Sequence, residues 1–557
     1  MAEPLTDTMR IAVAQLNSVV GVIEGNLGKV REARAEAAAA GADLVVLSEL
    51  FIAGYPPEDL VLKPAFSDAC RSAVEALAGD TADGGPGIVV GSPWPDGGKV
   101  YNAAALLDEG QIKGLRYKVE LPNYGVFDEL RVFEAGPLPG PIGFRGIRLG
   151  LPICEDIWFD QVAECLAETG AEMLIVPNGS PYWQAKADVR QQVALARVVE
   201  TGLPLVYVNQ CGGQDELVFD GGSFGLNADH SLAFQMSQFE EAVTIVTWRK
   251  PGDVWLCADG PLAMLPGLEE ANWRACVLGL RDYVDKNRFP GIVLGLSGGV
   301  DSAVSAVMAV DALGADRVHC VMMPYRYTSN ESLNDAAALA ERLGVRYDIM
   351  PIAAPVEAFE ATLDALFAGR ARDNAEENLQ ARTRGTLLMA LSNKLGSMLV
   401  TTGNKSENSV GYATLYGDMN GGFNPVKDLY KTEVYRLARW RNLHCPPGVL
   451  GKHGPVIPDN IITRAPTAEL RENQTDQDSL PAYEVLDDIL ECLVEGEMRI
   501  AEVVARGHDL ATVRKVERML YLAEYKRRQA APGVKITRKN FGRDRRYPIT
   551  NKFRDRS

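Results

Sequence analysis

The sequence predicts two α/β domains in tandem: residues 1–249 around a largely buried sheet, and residues 268–557 around a doubly wound parallel sheet. Three observations carry this. Apolar, β-rich runs alternate with helical patterns through a chain of 557 residues, several times the ~150 usual for one domain. The alternation breaks between Lys250 and Pro266, where Lys-Pro-Gly-Asp and Asp-Gly-Pro-Leu interrupt it, so 250–267 reads as a linker. Beyond it, the strand Ile292 to Leu296 runs through Ser-Gly-Gly into a helix, and in a doubly wound sheet ligands sit beyond such strand ends.

In the first domain, Arg10 to Leu16 reads as a strand, Asn26 to Ala40 as an Ala/Glu/Arg helix closed by Gly41, and Asp43 to Leu47 as the next strand. Further strands are expected at 88–92, 147–153, 173–177, 203–209 and 243–247, with helices near 160–169 and 185–201. In the second domain a helix precedes the strand at 291–296. Then come helix 302–314, strand 317–323, helix 331–343, strand 346–352, long helical stretches from 353 to 396, strand 397–402 and helix 427–440.

Composition excludes several classes. With 46% apolar and 24% charged residues, the chain is neither disordered, collagen-like nor a coiled coil. Its longest apolar runs fall short of the ~20 residues that span a bilayer. The start, Met-Ala-Glu-Pro-Leu-Thr-Asp-Thr, lacks the basic and apolar regions of a signal peptide, so a cytoplasmic location with no membrane partner is expected. Nine singly scattered cysteines, with no Cys-x-x-Cys, argue against a disulfide framework and a structural metal. The net charge of −17 disfavours nucleic acid, with one exception: Lys526 to Ser557 carries twelve Lys/Arg against two Asp.

Glu49 and Cys154 each follow a strand. Ends of parallel strands in one sheet share an edge, where a carboxylate and a thiol can meet. Only one of five histidines, His230, lies in the first half, so Glu49 is the available base for a Cys154 nucleophile. Lys118 would supply positive charge for thiolate and oxyanion. Singly, each has a plainer reading: a buried small Cys, a solvated Glu, a solvated Lys. The words around them, Ser48-Glu-Leu-Phe-Ile-Ala-Gly-Tyr-Pro-Pro57, Lys118 with Leu-Pro-Asn-Tyr-Gly-Val-Phe-Asp-Glu129, and Pro152-Ile-Cys-Glu-Asp-Ile-Trp158, resemble the nitrilase superfamily of carbon–nitrogen hydrolases across roughly residues 10–248. The resemblance implies an αββα sandwich with Glu49 as general base and acid, Lys118 as transition-state stabiliser and Cys154 as nucleophile. The stretch Pro177 to Lys186 resembles the glutamine-dependent branch, which implies Tyr124, Ser180 and Lys186 around the substrate amino acid.

In the second domain, strand, Ser297-Gly-Gly-Val-Asp-Ser302 and helix form an anion cradle: glycines let the backbone close in, hydroxyls donate, and the helix N-terminus favours negative charge. The kinase-type Gly-x4-Gly-Lys-Ser/Thr is absent, which disfavours γ-phosphoryl transfer. This loop resembles the PP-loop of ATP pyrophosphatases, implying ATP contacts from Gly295, Leu296, Ser297, Gly298, Gly299, Val300, Asp301 and Ser302. Met323-Pro-Tyr-Arg-Tyr-Thr-Ser329, Glu377 to Arg384, Thr401 to Glu407, Tyr416-Gly-Asp418 and Phe423 to Lys431 together resemble NAD synthetases across roughly 268–535. That resemblance implies ATP contacts from Thr402 and Lys431, magnesium between Asp301 and Glu407, and deamido-NAD near Asn378, Glu407 and Lys526. Arg382 shares a helix face with Asn378 and could reach the same phosphates. Stand-alone synthetases carry a lysine before Tyr-Gly-Asp; here the position is Leu415, and the resemblance stops short of that contact.

The two resemblances together imply that glutamine is hydrolysed at Cys154 and that its ammonia amidates deamido-NAD, activated as an adenylate with ATP and Mg2+, to NAD. The basic tail either flanks the phosphates or forms a surface arm. A homo-oligomer, at least a dimer, is expected because both families self-associate. The competing readings are a PP-loop RNA-modifying enzyme with a fused amidase, using the tail as an electrostatic arm, and a non-enzymatic nucleotide sensor. The acidic bulk stands against the first and the unbroken motifs against the second.

Overall fold

A computed structural model describes residues 7–557, and the chain divides into two compact units, one ending at Gly267 and the other starting at Leu268. Most of the opening segment read above for a signal peptide, up to Thr6, lies outside the described residues.

In the first unit the strand Thr8–Gln15 pairs antiparallel with Ala242–Arg249 and parallel with Leu44–Val46. Gly87–Asp96, Lys99–Asp108 and Gln111–Tyr117 complete a six-stranded mixed sheet. A second sheet of six runs in the order Leu232–Gln235, Phe224–Leu226, Leu205–Asn209, Met173–Asn178, Ile147–Gly150, Ile142–Phe144. Strand alternation sorts the side chains between layers. Ile11, Val13 and Val46 pack against Leu149, Ile175 and Val206 between the sheets. Ala12, Val45 and Ile88 turn outward to the helices Ile23–Ala39 and Pro64–Asp80. Gln161–Glu168 and Lys186–Thr201 cover the other sheet, so the layers are αββα.

This corrects one step of the sequence reading. Glu49 and Cys154 do not share the edge of one parallel sheet; they follow strands of different sheets, Leu44–Val46 and Ile147–Gly150, packed face to face. The outer antiparallel strands were missed because Tyr-Asn-Ala-Ala-Ala-Leu-Leu, within Lys99–Asp108, is poor in the β-branched residues that mark a strand. Segment 250–267, read as a linker, packs on this unit: Arg249 pairs with Leu256, and Trp255 and Cys257 join the core between the sheets.

The second unit holds four parallel strands in the order Arg346–Ile349, Val318–Met322, Ile292–Gly295, Met398–Val400. The strand order reverses between the last two, and such a switch point opens a crevice at the carboxyl ends. The helix Val300–Leu313 starts there and is buried along nearly its whole length. The helical stretch 353–396 is two helices, Ala353–Phe367 and Asn374–Leu395, the second opened by a capping box of Asp373 with Glu376. The expected helix 427–440 begins later, at Lys431, because Phe423 to Leu429 turns before it. Tyr483–Val494, Ile500–Ala505 and Leu510–Leu522 pack around the short helix Lys405–Val410 in a core of their own.

Candidate active sites

In the first unit, the Lys118 ammonium donates to Glu49 Oε1 at 2.7 Å and to both oxygens of Glu129 at 3.0 and 2.9 Å. Asn102 Nδ2 donates to Glu49 Oε1 at 2.7 Å and the Gly179 amide to Glu49 Oε2 at 2.9 Å, while Tyr55 donates to Glu129 at 2.8 Å. Glu49 and Lys118 are inaccessible to solvent and Cys154 is 3% exposed. Close approach is built into the backbone: a Cβ at Gly91 would collide with the Leu50 amide beside Glu49. Cys154 adopts a left-handed φ of 46° where the chain turns from the Ile147–Gly150 strand into a 3-10 turn. Asp156 braces that turn, its Oδ2 accepting from the Ile153 amide and its Oδ1 from the amides of Val119 and Glu120, next to Lys118.

Burial opposes the Lys118 charge, but Glu129 and Glu49 outweigh it and raise its pKa well above the usual lysine value. Burial pushes the Cys154 thiol well up, Glu49 adds to this, and Lys118 offsets it only in part. Lys118 thus favours the Cys154 thiolate, as the sequence reading expects, but does not cancel the cost of burying it. Glu129 is raised from 4.5 to about 7 by burial, with Lys118 opposing and Glu49 adding. A carboxyl raised on folding contributes stability that is present below its unfolded pKa and lost as pH climbs through the folded value. Glu129→Gln cannot ionise, so its melting temperature is expected to gain on the parent between pH ~5 and ~7. A pH-independent gap would show that Glu129 stays ionised throughout.

Tyr124 donates to Glu155 at 2.7 Å, next to the nucleophile, and Lys186 Nζ lies 4.2 Å from the Trp158 ring centroid. Ser180 is buried, and its Oγ accepts from Arg190 Nε at 3.1 Å. Arg190 is itself held by Asp220.

In the second unit, Ser302 Oγ accepts from the Ser297 amide at 3.2 Å and donates to Gly299 O at 3.0 Å, folding the loop back on itself. Gly298 has φ +81°, and a Cβ there would stand 2.5 Å from the Ser332 carbonyl, so only glycine fits. The loop opens a cavity of about 310 Å3, lined from Gly295 to Ser302 and by Thr402, Glu407, Lys431, Arg384 and Arg464. Lys431 Nζ bridges Asp301 and Glu407, 3.2 Å from the latter. Asn404 donates to Asp301 at 2.9 Å and caps the helix that carries Glu407. Burial raises the Glu407 carboxyl to about 8 against the pull of Lys431. The Lys431 ammonium occupies the point on which the Asp301 and Glu407 carboxyls converge; with the lysine turned to phosphate, these two would be the hard oxygen donors for a magnesium ion. Among the described residues no cluster of three or more candidate ligands exists.

Asn378, Arg382 and Lys526 do not line this cavity; they hold one of its walls from behind. Asn378 accepts from Thr414 at 2.9 Å, Arg382 donates to Leu415 O at 3.2 Å, and Lys526 donates to Gly411 O and Ala413 O at 2.7 and 2.6 Å. Arg384 and Arg464 are the arginines that face the cavity; Arg384 is anchored on Met323 O, and burial lowers its pKa to about 10.

The carbon–nitrogen hydrolase family model matches residues 10–250 and the NAD synthase model residues 272–530. A glutamine-dependent NAD(+) synthetase of Rhodobacter capsulatus is 52% identical over 553 residues, covering 99% of this chain and all of that protein. The chain belongs to the glutamine-dependent NAD(+) synthetase family. A second member, from Xanthomonas campestris, is 45% identical over 98% of both chains. The solved structure of the Acinetobacter baumannii synthetase in complex with ADP is 42% identical, covers 98% of this chain and 99% of that one, and superposes with a TM-score of 0.78. For a synthetase of this family, sequence reasoning missed Glu129, Asn102 and Asp156 in the first site and Arg384 and Arg464 in the second. Glu129 had a signal, a fourth ionisable group eleven residues after Lys118. Asn102 had a fainter one, an amide inside an apolar strand.

Proposed function

We propose that this synthetase couples two half-reactions: glutamine hydrolysis in the first unit and ATP-dependent amidation of deamido-NAD in the second. In the first, Cys154 sulfur attacks the amide carbon as Glu49 takes the thiol proton, and Glu49 returns it to the departing ammonia. Lys118 offsets negative charge on the tetrahedral oxygen, and the resulting thioester is hydrolysed by water with Glu49 again as base. Tyr124, Ser180 and Lys186 hold the amino-acid part of glutamine.

In the second unit, a carboxylate oxygen of deamido-NAD attacks the α-phosphorus of ATP and pyrophosphate leaves. Ammonia then displaces AMP. The loop from Gly295 to Ser302 cradles the leaving pyrophosphate, with Thr402 and Lys431 on ATP. Asp301 and Glu407 would hold magnesium, which when bound neutralises phosphate charge. Asn378, Glu407 and Lys526 face deamido-NAD, Asn378 and Lys526 from the side of the 411–418 segment they hold. The full-length likeness to glutamine-dependent synthetases, with both constellations intact, carries this reading. The basic tail gives no support to an RNA-modifying alternative, since Arg527, Lys535 and Arg545 are buried in ion pairs. With ATP, magnesium, deamido-NAD and glutamine, the expected products are NAD, AMP and pyrophosphate; ADP would reject the adenylation chemistry.

Lys118→Ala is expected to lower glutamine-supported synthesis at least roughly 10²–10³-fold, the usual loss for one donor to a developing oxyanion. It also strands two buried carboxylates. Glu49→Gln should lose the proton shuttle, and both variants should react slowly with a thiol-directed glutamine analogue that labels Cys154 quickly in the parent. Unchanged labelling in Lys118→Ala would mean that the lysine takes no part.

A further inference from the structure

Beyond Lys526, the two reactions leave the basic tail without a task. It is folded into the second unit around a buried charge cluster. Asp428, three residues before Lys431, accepts at Oδ2 from the amides of Ile536 and Thr537 at 2.8 and 2.7 Å and from Thr537 Oγ1 at 2.9 Å. Lys405, fully buried, donates to Asp428 at 2.8 Å, to Glu495 at 2.6 Å, to Thr537 Oγ1 and to the Lys539 carbonyl at 2.8 Å. The Lys539 amide returns to Glu495 Oε2 at 2.7 Å. Just upstream, the Asn424 amide donates to Pro532 O at 2.9 Å.

Both partners of this cluster are joined to groups that face the nucleotide cavity. Lys405 is the residue between Asn404, which grips Asp301, and the rest of the helix that carries Glu407. Its amide donates to Leu429 O at 2.8 Å, while the Lys431 amide donates to Ser406 Oγ at 2.8 Å. The segments bearing Glu407 and Lys431 are therefore laced together directly above the Lys405–Asp428 pair. That pair is complete only with donors and acceptors from residues 536–539. A buried carboxylate that loses its donors, or a buried ammonium that loses its acceptors, must move toward water.

We propose that the tail segment Ile536–Lys539 is a positioning element of the adenylation site, fixing Glu407 and Lys431 against Asp301 through Lys405 and Asp428. The tail acts by backbone amides, one hydroxyl and one carbonyl, and its exposed cations are dispensable. This rests on the adenylation reading above, and the parent protein's own conversion of deamido-NAD, ATP and ammonium to NAD and AMP tests that reading separately.

The test measures ammonium-supported synthesis in the full chain, below each variant's melting temperature. Thr537→Val keeps the shape and removes the hydroxyl that Lys405 and Asp428 share; kcat is expected to fall about tenfold or more, with the KM for ATP changed much less, as for a misplaced catalytic group. Thr537→Ser restores the hydroxyl and should restore kcat. Replacing exposed Arg546, Lys552 and Arg556 by Gln should leave the rate at the parent level. Parent-level kcat in Thr537→Val, a Ser variant as impaired as the Val variant, or a large loss from the three exposed cations would each overturn the proposal.

Discussion

Cys154→Ala is expected to abolish NAD formation from glutamine and leave formation from ammonium near the parent rate. The thiol serves only acyl transfer, and alanine offers no nucleophile, so the residual glutamine-supported rate should be background. The protein should still fold. The hydrogen bonds that hold Glu49 and Lys118 run to each other and to Glu129, Asn102 and Gly179, none of them through the sulfur. The cavity behind the Ser297 loop is lined wholly by residues of the second unit. Loss of both activities in a folded Cys154→Ala protein would contradict the division of labour.

Asp301→Ala is expected to do the reverse. Synthesis should fall at least roughly 10²–10³-fold whether nitrogen comes from glutamine or ammonium, the loss that follows when charge developing on a leaving group is no longer matched. Asp301 accepts from Lys431 and from Asn404, so its removal leaves the lysine to Glu407 alone, loosens the cap of the Glu407 helix and deletes one of the two carboxyls that would hold magnesium. Labelling of Cys154 by a glutamine analogue should persist, since Glu49 and Lys118 are untouched. Near-normal synthesis with ammonium would show that Asp301 lies outside the reacting complex.

Much of this was legible in the sequence for a physical reason: groups that do chemistry sit at strand ends in short words whose local backbone is constrained. Gly298 had to be glycine against Ser332, and Ser302 had to close the loop. Tertiary consequences were not legible. That Glu49 and Cys154 meet across two sheets depends on face-to-face packing, which strand-end arguments do not distinguish from a shared edge. Helical periodicity singled out Arg382 by the face it shares with Asn378 and said nothing of Arg384; the structure turns Arg382 to the Leu415 carbonyl and Arg384 to the cavity. Formal charge made the tail look like an electrostatic arm. Lys535 paired with Asp544 and Arg545 with Glu524 show cations taken up inside the fold instead.

The adenylate is the intermediate that defines the chemistry proposed for the second unit, and oxygen transfer reports it directly. Deamido-NAD carrying 18O in both carboxylate oxygens should be converted with ATP and ammonium in a single turnover. If the carboxylate attacks the α-phosphorus and ammonia then breaks the bond between the carbonyl carbon and that oxygen, one 18O is left in AMP and the other stays in the carboxamide of NAD. AMP bearing one 18O is the expected result. The label in inorganic phosphate, with ADP as co-product, would contradict it.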